Sequence, residues 1–459
     1  MNPKHYDLIV VGGGMTGAAA AVSATRRGLH TLLVEQSGAL GGAACTCLVN
    51  PFMKYWTGIP GTDERLMLSR GFFQEMLDRL SAYGTAARDG SCFSEEYVKR
   101  VLDDLTAEAG AEVLFHATLC GVDKDGDAIR SIRVATKAGV LPLTADLYID
   151  CTGDGDLAAQ SGCPFRLGRP ADGLCQPMTL CFRLGNVDTD AFWADRPHIQ
   201  AVYRAAQQSG ETCNPREDVL VFRTLNRGVL HFNTTRIVKL NPTDPFDVSR
   251  AERLGRRQMW ELFDLLRREI PACKDAELLM SAAQIGVRES RMIDGRYVLT
   301  ADDLKACARF PDAIAAGNYD IDIHNPAGAG TSHYLFPDGQ YYTIPYRSLL
   351  PLRADNLLGA GRCIAATHEA QASIRIMPIV TCLGEAAGVA AAAAHRAGLP
   401  RRTPMWRRFR PTCARRGRLW GNKFRHIAYT HIQKAVHEVW FMDCFDCNYR
   451  LICLKSFTR

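Results

Sequence analysis

The stretch that most constrains this chain is residues 6–35. Tyr6, Asp7 and the apolar run 8–11 read as a buried strand. Gly12-Gly13-Gly14-Met15-Thr16-Gly17 follows at once and matches G-x-G-x-x-G. Residues 18–27 read as an alanine-rich helix ending near Gly28, and residues 30–35 as a second strand. A glycine turn set between strand and helix, with a second strand after it, is the unit that cradles a dinucleotide pyrophosphate. Gly12 permits the tight turn, Gly14 lets the backbone approach the phosphates, and Gly17 allows close helix–strand packing. Met15 and Thr16 open the helix, whose free N–H groups and positive dipole end face the anion. Glu35 lies 21 residues past Gly14, followed by Gln36. An acid there accepts hydrogen bonds from ribose hydroxyls and disfavours a 2′-phosphate. A glycine-rich turn without a ligand would need none of these flanking parts.

The rest of the chain has to house that unit. Its 459 residues suffice for two to four domains at roughly 100–200 residues each. At 47% hydrophobic and 23% charged it has globular composition, which excludes wholesale disorder and a fibrous class. No uncharged apolar stretch reaches about 18 residues, so no membrane span is expected. The first residues lack a secretory pattern, and a cytoplasmic, reducing setting is expected. Residues 1–400 carry 13 cysteines at irregular spacings, which suits small buried residues better than a disulfide framework.

Downstream of Glu35 the pair Gly41-Gly42 separates two dinucleotide classes, because pyridine-nucleotide dehydrogenases do not need it. Here the chain resembles the glutathione-reductase-like flavoprotein superfamily, on its fumarate-reductase and heterodisulfide-reductase-A-like side. The resemblance runs from about His5 to about His395. It is carried by residues 12–42, by 149–156 with Gln176-Pro-Met-Thr179, by 284–291, and by 357–375. It implies non-covalent FAD, wrapped by Gly41 and Gly42 towards the ribityl end. Thr152, Gly153 and Asp154 return the chain to the adenine side, and Gly361 and Arg362 lie at the ribityl phosphate. Many relatives carry Gly-Asp where this chain has Gly359-Ala360, which removes one carboxylate from the expected cofactor contacts. Some relatives hold an iron–sulfur cluster. Residues 1–400 lack its cysteine motif, so neither a cluster nor another metal is expected.

The implied architecture is α/β: a Rossmann-like FAD-binding domain with a parallel central sheet, interrupted by an α+β substrate domain. Residues 1–156 and 346–400 form the two FAD-binding parts, and residues 157–345 the substrate domain. Residues 112–140 read as a small antiparallel insertion. The last helix spans residues 379–395.

The function implied is an FAD-dependent oxidoreductase that moves hydride or electrons between flavin and a small organic substrate. An NAD-dependent dehydrogenase is one alternative, and a tRNA-modifying type of flavoprotein with an RNA-binding tail is another. A homodimer or a redox partner protein is compatible with the chain. Candidate catalytic residues are Arg288 and Arg291, able to grip a carboxylate, and His324 and His333, able to act as acid or base. Each has a plainer reading. The arginines can pair with Glu289 to hold two domains together, and the histidines can be solvated in residues 318–339, expected to be a long loop. Cys45 and Cys47, after the glycine pair, are either redox thiols or small residues packed under the flavin.

Charge singles out the last 59 residues. They hold 14 Lys/Arg against 3 Asp/Glu, whereas residues 1–400 hold 41 against 46, so the net +6 belongs to the tail. Met405-Trp406 has the unique codons ATG-TGG, and a shifted frame reads GTG, valine, across their junction. The same shift over residues 404–420 permits a helix with apolar residues at i, i+3 and i+7. The tail therefore reads as the product of a frameshift near residue 401, expected to be poorly ordered, with a genuine basic appendage as the alternative. The mildly acidic body gives no reason to expect a nucleic-acid partner.

Overall fold

A computed structural model describes residues 4–86 and 92–398. The basic tail, its frameshift reading and its cysteines lie outside the described residues.

A central sheet forms around the first strand, Lys4–Val11, whose residues 8–11 are all buried. Thr31–Val34 pairs parallel with one edge of it, and Glu112–Leu114 pairs parallel beyond that. Gly139–Asp150 pairs parallel with its other edge. That strand changes partners along its length. Its residues 139–143 pair antiparallel with Ala128–Thr136, and its residues 148–150 pair parallel with Leu357–Gly359. Thr118–Asp125 completes an antiparallel meander, which is the insertion expected at residues 112–140. The strands nearest the ligand-binding edge are thus parallel, as an α/β sheet covered on both faces requires.

The first helix, Met15–Thr25, begins three residues earlier than the alanine run suggested and is buried through residue 24. It lies against the last helix, Met377–Arg396. The contact is made by backbone. A Cβ on Gly384 would sit 2.0 Å from the Thr16 carbonyl oxygen, and one on Gly388 would sit 2.2 Å from that of Ala20. Positions rise together along both helices, so they run parallel and bring both N-termini to the same end of the sheet. By length and composition Met377–Arg396 passes as a membrane span, but 78% of its apolar window is buried inside the fold.

A second core is built by residues 180–282 with Leu48. Its four-stranded antiparallel sheet runs Val221–Arg223, Leu230–Phe232, Phe182–Gly185, Glu277–Ser281. Phe182 and Phe232 stack at 4.9 Å across two of these strands. The helix Pro245–Glu269 covers the core. Asp244 caps it by accepting from the N–H groups of Phe246 and Asp247, and Pro245 opens it. It buries Ala251, Gly255, Met259, Leu262 and Leu266, an i, i+4, i+8, i+11, i+15 stripe.

Residues 318–339 are not a long loop. They contain an antiparallel hairpin, Ile321–His324 against Thr331–Tyr334. Glycine and proline content obscured it, because those residues sit in the tight connection 325–330. There the Asn325 N–H donates to the Gly330 carbonyl at 2.9 Å, and the Arg236 guanidinium donates to the carbonyls of Gly328 and Gly330.

Candidate active site

One cavity of about 870 Å³ runs from the carboxyl edge of the central sheet to the face of the second core. At the sheet end its walls are backbone. Gly12 has φ +100°, and a Cβ there would be 2.4 Å from the Cys151 carbonyl oxygen. A Cβ on Gly17 would lie 1.7 Å from the Gly12 oxygen, so strand, turn and helix touch directly. Gly14 differs: its nearest neighbour would be 3.9 Å away, and the residue faces the cavity. Gly41 donates its N–H to the Gly13 carbonyl at 2.9 Å, tying the glycine pair to the loop. The N-termini of both parallel helices open here, at Met15 and Thr16 and at Met377 and Val380. Two helix dipoles therefore favour negative charge at this end.

Glu35 is buried and also lines the cavity. Its carboxylate accepts from the Gly13 N–H at 2.5 Å and the Ser37 N–H at 2.7 Å. Each oxygen keeps a second lone pair for a ribose hydroxyl. Gln36, Gly42, Thr152, Gly153, Asp154, Gly361 and Arg362 line the cavity as well. Gly17 does not, since its place is under the turn. Arg362 is a stitch between segments: it donates to the carbonyls of Gly153 and Val287 and pairs with Asp154 at 2.5 Å.

Behind the turn, Asp150 is fully buried and accepts from the N–H groups of Thr152 and Ala158. Burial pushes its carboxyl up to about 6 against those hydrogen bonds. Cys45 and Cys47 do not sit in a strand. Burial pushes the Cys47 thiol up to about 11 and that of Cys45 to about 12. Cys45 donates to the Glu95 carbonyl and Cys47 to that of Ile285, both at 3.6 Å, so both behave as packed thiols rather than thiolates.

The other end of the cavity is made of charged side chains. Arg288 lines it and donates to the Pro177 carbonyl at 2.8 Å, to the Thr179 hydroxyl and to the Asn233 amide oxygen at 3.3 Å. Its backbone is held from behind. Gln371 donates to the Arg288 carbonyl at 2.9 Å, Gln176 donates to Gln371 at 3.2 Å, and Glu289 accepts from the Gln176 N–H at 2.8 Å and faces His368 Nδ1 at 2.8 Å. Arg291 is turned away to pair with Asp156 at 2.7 Å and is not among the lining residues.

His324 and His333 both line the chamber, from opposite strands of the hairpin. His333 is half-exposed at the mouth. His324 is buried, and Arg236, which can only donate, reaches its Nδ1 at 3.0 Å. The proton therefore belongs on Nε2, 3.4 Å from Asp322. Burial, reinforced by Arg288, pushes the His324 ring down to about 3, so it is neutral at physiological pH. Although burial opposes ionisation, His324, Arg375 and Tyr319 hold the Asp322 carboxyl well below the usual carboxylate range. Tyr319 donates to it at 2.8 Å. Tyr319, Asp322, Arg216, Asn233, Thr331 and Arg375 had drawn no attention as site residues in the sequence. The available signal was the polar–apolar alternation of residues 319–324, which marks a strand with one polar face.

A family model described as FAD dependent oxidoreductase matches residues 7–408. The chain is 32% identical over 99 residues to a thioredoxin reductase of Ureaplasma parvum serovar 3, covering 22% of this chain and 30% of the relative. It is 37% identical over 67 residues to a soluble pyridine nucleotide transhydrogenase of Vibrio parahaemolyticus, covering 15% and 12%. The chain thus spans less than a third of either relative's length. A geranylgeranyl bacteriochlorophyll reductase-like structure from Thermoplasma acidophilum aligns with 89% of this chain and 83% of its own, at 13% identity and a TM-score of 0.43. The fold reading rests instead on the sheet order described above and on the family match. That match sets aside the NAD-dependent dehydrogenase alternative, and the RNA-binding alternative rests on residues outside those described.

Proposed function

We propose, from the premise that this chain belongs to the FAD dependent oxidoreductase family, that the long cavity described above holds FAD and a small organic substrate end to end. The chain is an FAD-dependent oxidoreductase. The observation that carries the rest is the continuity of the cavity from Glu35 to Arg288 and His324. The residues present fit the cofactor: a glycine cradle, two helix N-termini and a buried acid suit a pyrophosphate flanked by a ribose.

On this reading Gly12, Gly14, Met15 and Thr16 hold the pyrophosphate, and Glu35 with Gln36 the adenosine ribose. Gly17 supports the turn from below. Gly41, Gly42, Gly361 and Arg362 follow the ribityl chain, and Thr152, Gly153 and Asp154 close the adenine side. Bound flavin supplies two-electron transfer. The protein's part is to bind the substrate at the charged end, exclude water and hold protons. His324 offers a neutral Nε2–H, Asp322 a carboxylate, and Arg288 a cation, with His333 beside them, while Arg291, which pairs with Asp156 and does not line the cavity, takes no part. The separate core of residues 180–282 supports treating 157–345 as a substrate domain set between FAD-binding parts 1–156 and 346–400. The motifs at 284–291 and 357–375 support an affinity with heterodisulfide-reductase-A-like relatives. A cytoplasmic location and a small-molecule partner belong to the same reading.

The test is anaerobic. Full-length protein is purified, its flavin is released by denaturation and identified, and bound flavin is screened for bleaching by carboxylic acids, amines, thiols and NAD(P)H. Release of FAD and bleaching by a small molecule is the expected result. Flavin retained covalently, or bleached only by a protein donor, would contradict the reading.

A further inference from the structure

The charged end of the cavity is a set of ion pairs among which Arg288 has no acid of its own. Arg216 Nε lies 2.9 Å from Asp218, Arg236 Nη1 lies 3.0 Å from Glu217, and Arg375 Nη2 lies 3.7 Å from Asp322. Nearer the turn, Arg362 pairs with Asp154. Arg288 stands among them with neutral acceptors only: a carbonyl, a hydroxyl and an amide oxygen. Among the described residues no carboxylate lies within ion-pair distance of it. Burial lowers the Arg288 pKa to about 9, reinforced by Arg375, Arg216 and Arg236, yet it remains a cation at neutral pH. A partly buried cation without a counter-charge carries a desolvation cost, and a bound anion offsets it.

Two more observations point the same way. Arg216 Nη1 and Arg375 Nε are buried without a hydrogen-bond partner, and both residues line the cavity. Arg204, also lining and exposed, adds a further positive charge among the described lining residues without a paired acid. Walls of Leu220, Phe222 and Ile285 provide apolar surface beside the cations.

We propose that this chamber takes a small organic acid, and that Arg288, with Arg375 and Arg216 beside it, binds the substrate's carboxylate. The proposal rests on the reading that flavin occupies the glycine end, and it names the substrate class for the same cavity. A guanidinium presents two parallel N–H groups to the two oxygens of a planar carboxylate, so the fit is one of shape as well as charge. The network through Gln371, Gln176, Glu289 and His368 makes that geometry rigid, since it fixes the Arg288 backbone. Gln371 and Glu289 are therefore positioning residues.

The test uses oxidised, flavin-loaded, full-length protein at constant ionic strength. Acetate, malonate and benzoate are titrated against acetamide, malonamide and benzamide, with sulfate as an inorganic arm, and the flavin difference spectrum is read. In the oxidised state the isoalloxazine is neutral, so an anion response reports the chamber rather than a reduced flavin's own charge. At least one acid is expected to perturb the spectrum saturably, with tenfold or greater preference over its amide and over sulfate. Arg288→Gln should weaken that acid at least tenfold with FAD content unchanged, and Arg288→Lys should recover part of the loss. If Arg288→Gln fails to fold, Arg375→Gln is read in its place, with a loss of threefold or more expected. Equal binding of acid and amide, equal binding of sulfate, or full acid affinity in the folded variant read would overturn the proposal. A wild-type protein that takes up no FAD would fail the flavin reading first. A flavin-loaded protein blind to acids fails only this inference.

Discussion

The two ends of the cavity are built on opposite principles. At the glycine end the ligand meets backbone: free N–H groups, helix dipoles and positions where a side chain would collide with carbonyl oxygens of Gly12 or Cys151. At the Arg288 end it meets side chains, contributed by the sheet of the second core, the 319–334 hairpin and the segment before the last helix. Backbone recognition suits a cofactor of invariant shape, because geometry alone specifies it. Side-chain recognition suits a substrate, because charge and hydrogen bonding can be altered without disturbing the fold. The same protein thus separates what must stay constant from what can be retuned.

Substitutions can break that comparison, and the largest effect is expected at Gly17. Gly17→Val puts a branched side chain where even a Cβ lies 1.7 Å from the Gly12 oxygen. The chain should lose several kcal/mol, about 3 or more, and accumulate as insoluble protein. Soluble Gly17→Val of wild-type melting temperature would show that the strand–turn–helix contact is not rigid. Next is Glu289→Leu, which leaves the Gln176 N–H and His368 Nδ1 without their acceptor in a site that is 0% exposed. A loss of about 2–4 kcal/mol in denaturant unfolding is expected. A change below about 0.5 kcal/mol would mean that the network behind Arg288 does not hold the charged end.

The smallest effect concerns pH. His231 is 1% exposed, and neither ring nitrogen has a hydrogen-bond partner. Burial, with Arg183 nearby, pushes it down to about 3, like His324. A lowered histidine stays neutral in the fold while the unfolded chain takes up a proton near pH 6.5. The stability it contributes is therefore full above about pH 6.5 and lost as pH falls towards 3. Asp150, raised to about 6, works oppositely: its contribution is full below the usual carboxylate pKa and lost as pH rises through 6. Between pH 6.5 and 4.5 each buried histidine should cost about 2–3 kcal/mol. His231→Phe removes one of the two without breaking a hydrogen bond, so its melting temperature should fall less steeply over that range. Parallel pH profiles for variant and wild type would show that His231 is not linked to acid unfolding.

The contrast between the ends also explains what could be read before the structure. The glycine end is local in sequence: Gly12, Gly14, Gly17 and Glu35 are spaced by the geometry of one strand, one turn and one helix. The parallel sheet and the antiparallel insertion follow from equally local signals. The Arg288 end has no such spacing. Arg216, Arg288, Asp322 and Arg375 are brought together by tertiary packing, and nothing in their separations encodes it. Arg288 and His324 were visible as polar residues in suggestive settings, whereas Asp322 and Arg375 were not. The hairpin at 321–334 was masked because its turn is rich in Gly, Ala and Pro, which read as loop when the short flanking strands are ignored. Likewise Gly384 and Gly388 looked like ordinary members of an alanine-rich helix. Their purpose appears only where the Thr16 and Ala20 carbonyls approach.

The central claim is that the glycine end of this cavity is where FAD binds, and Gly14 isolates it. A Cβ there comes no closer than 3.9 Å to its nearest neighbour, Gly42 Cα, and the backbone angle φ of −63° suits any residue. Flavin-stripped full-length protein, wild type and Gly14→Val, is titrated with FAD and flavin fluorescence quenching is followed. Wild type should saturate near one FAD per chain, and the variant, equally folded by circular dichroism, should bind at least a hundredfold more weakly. Equal affinity in the two proteins would contradict the account.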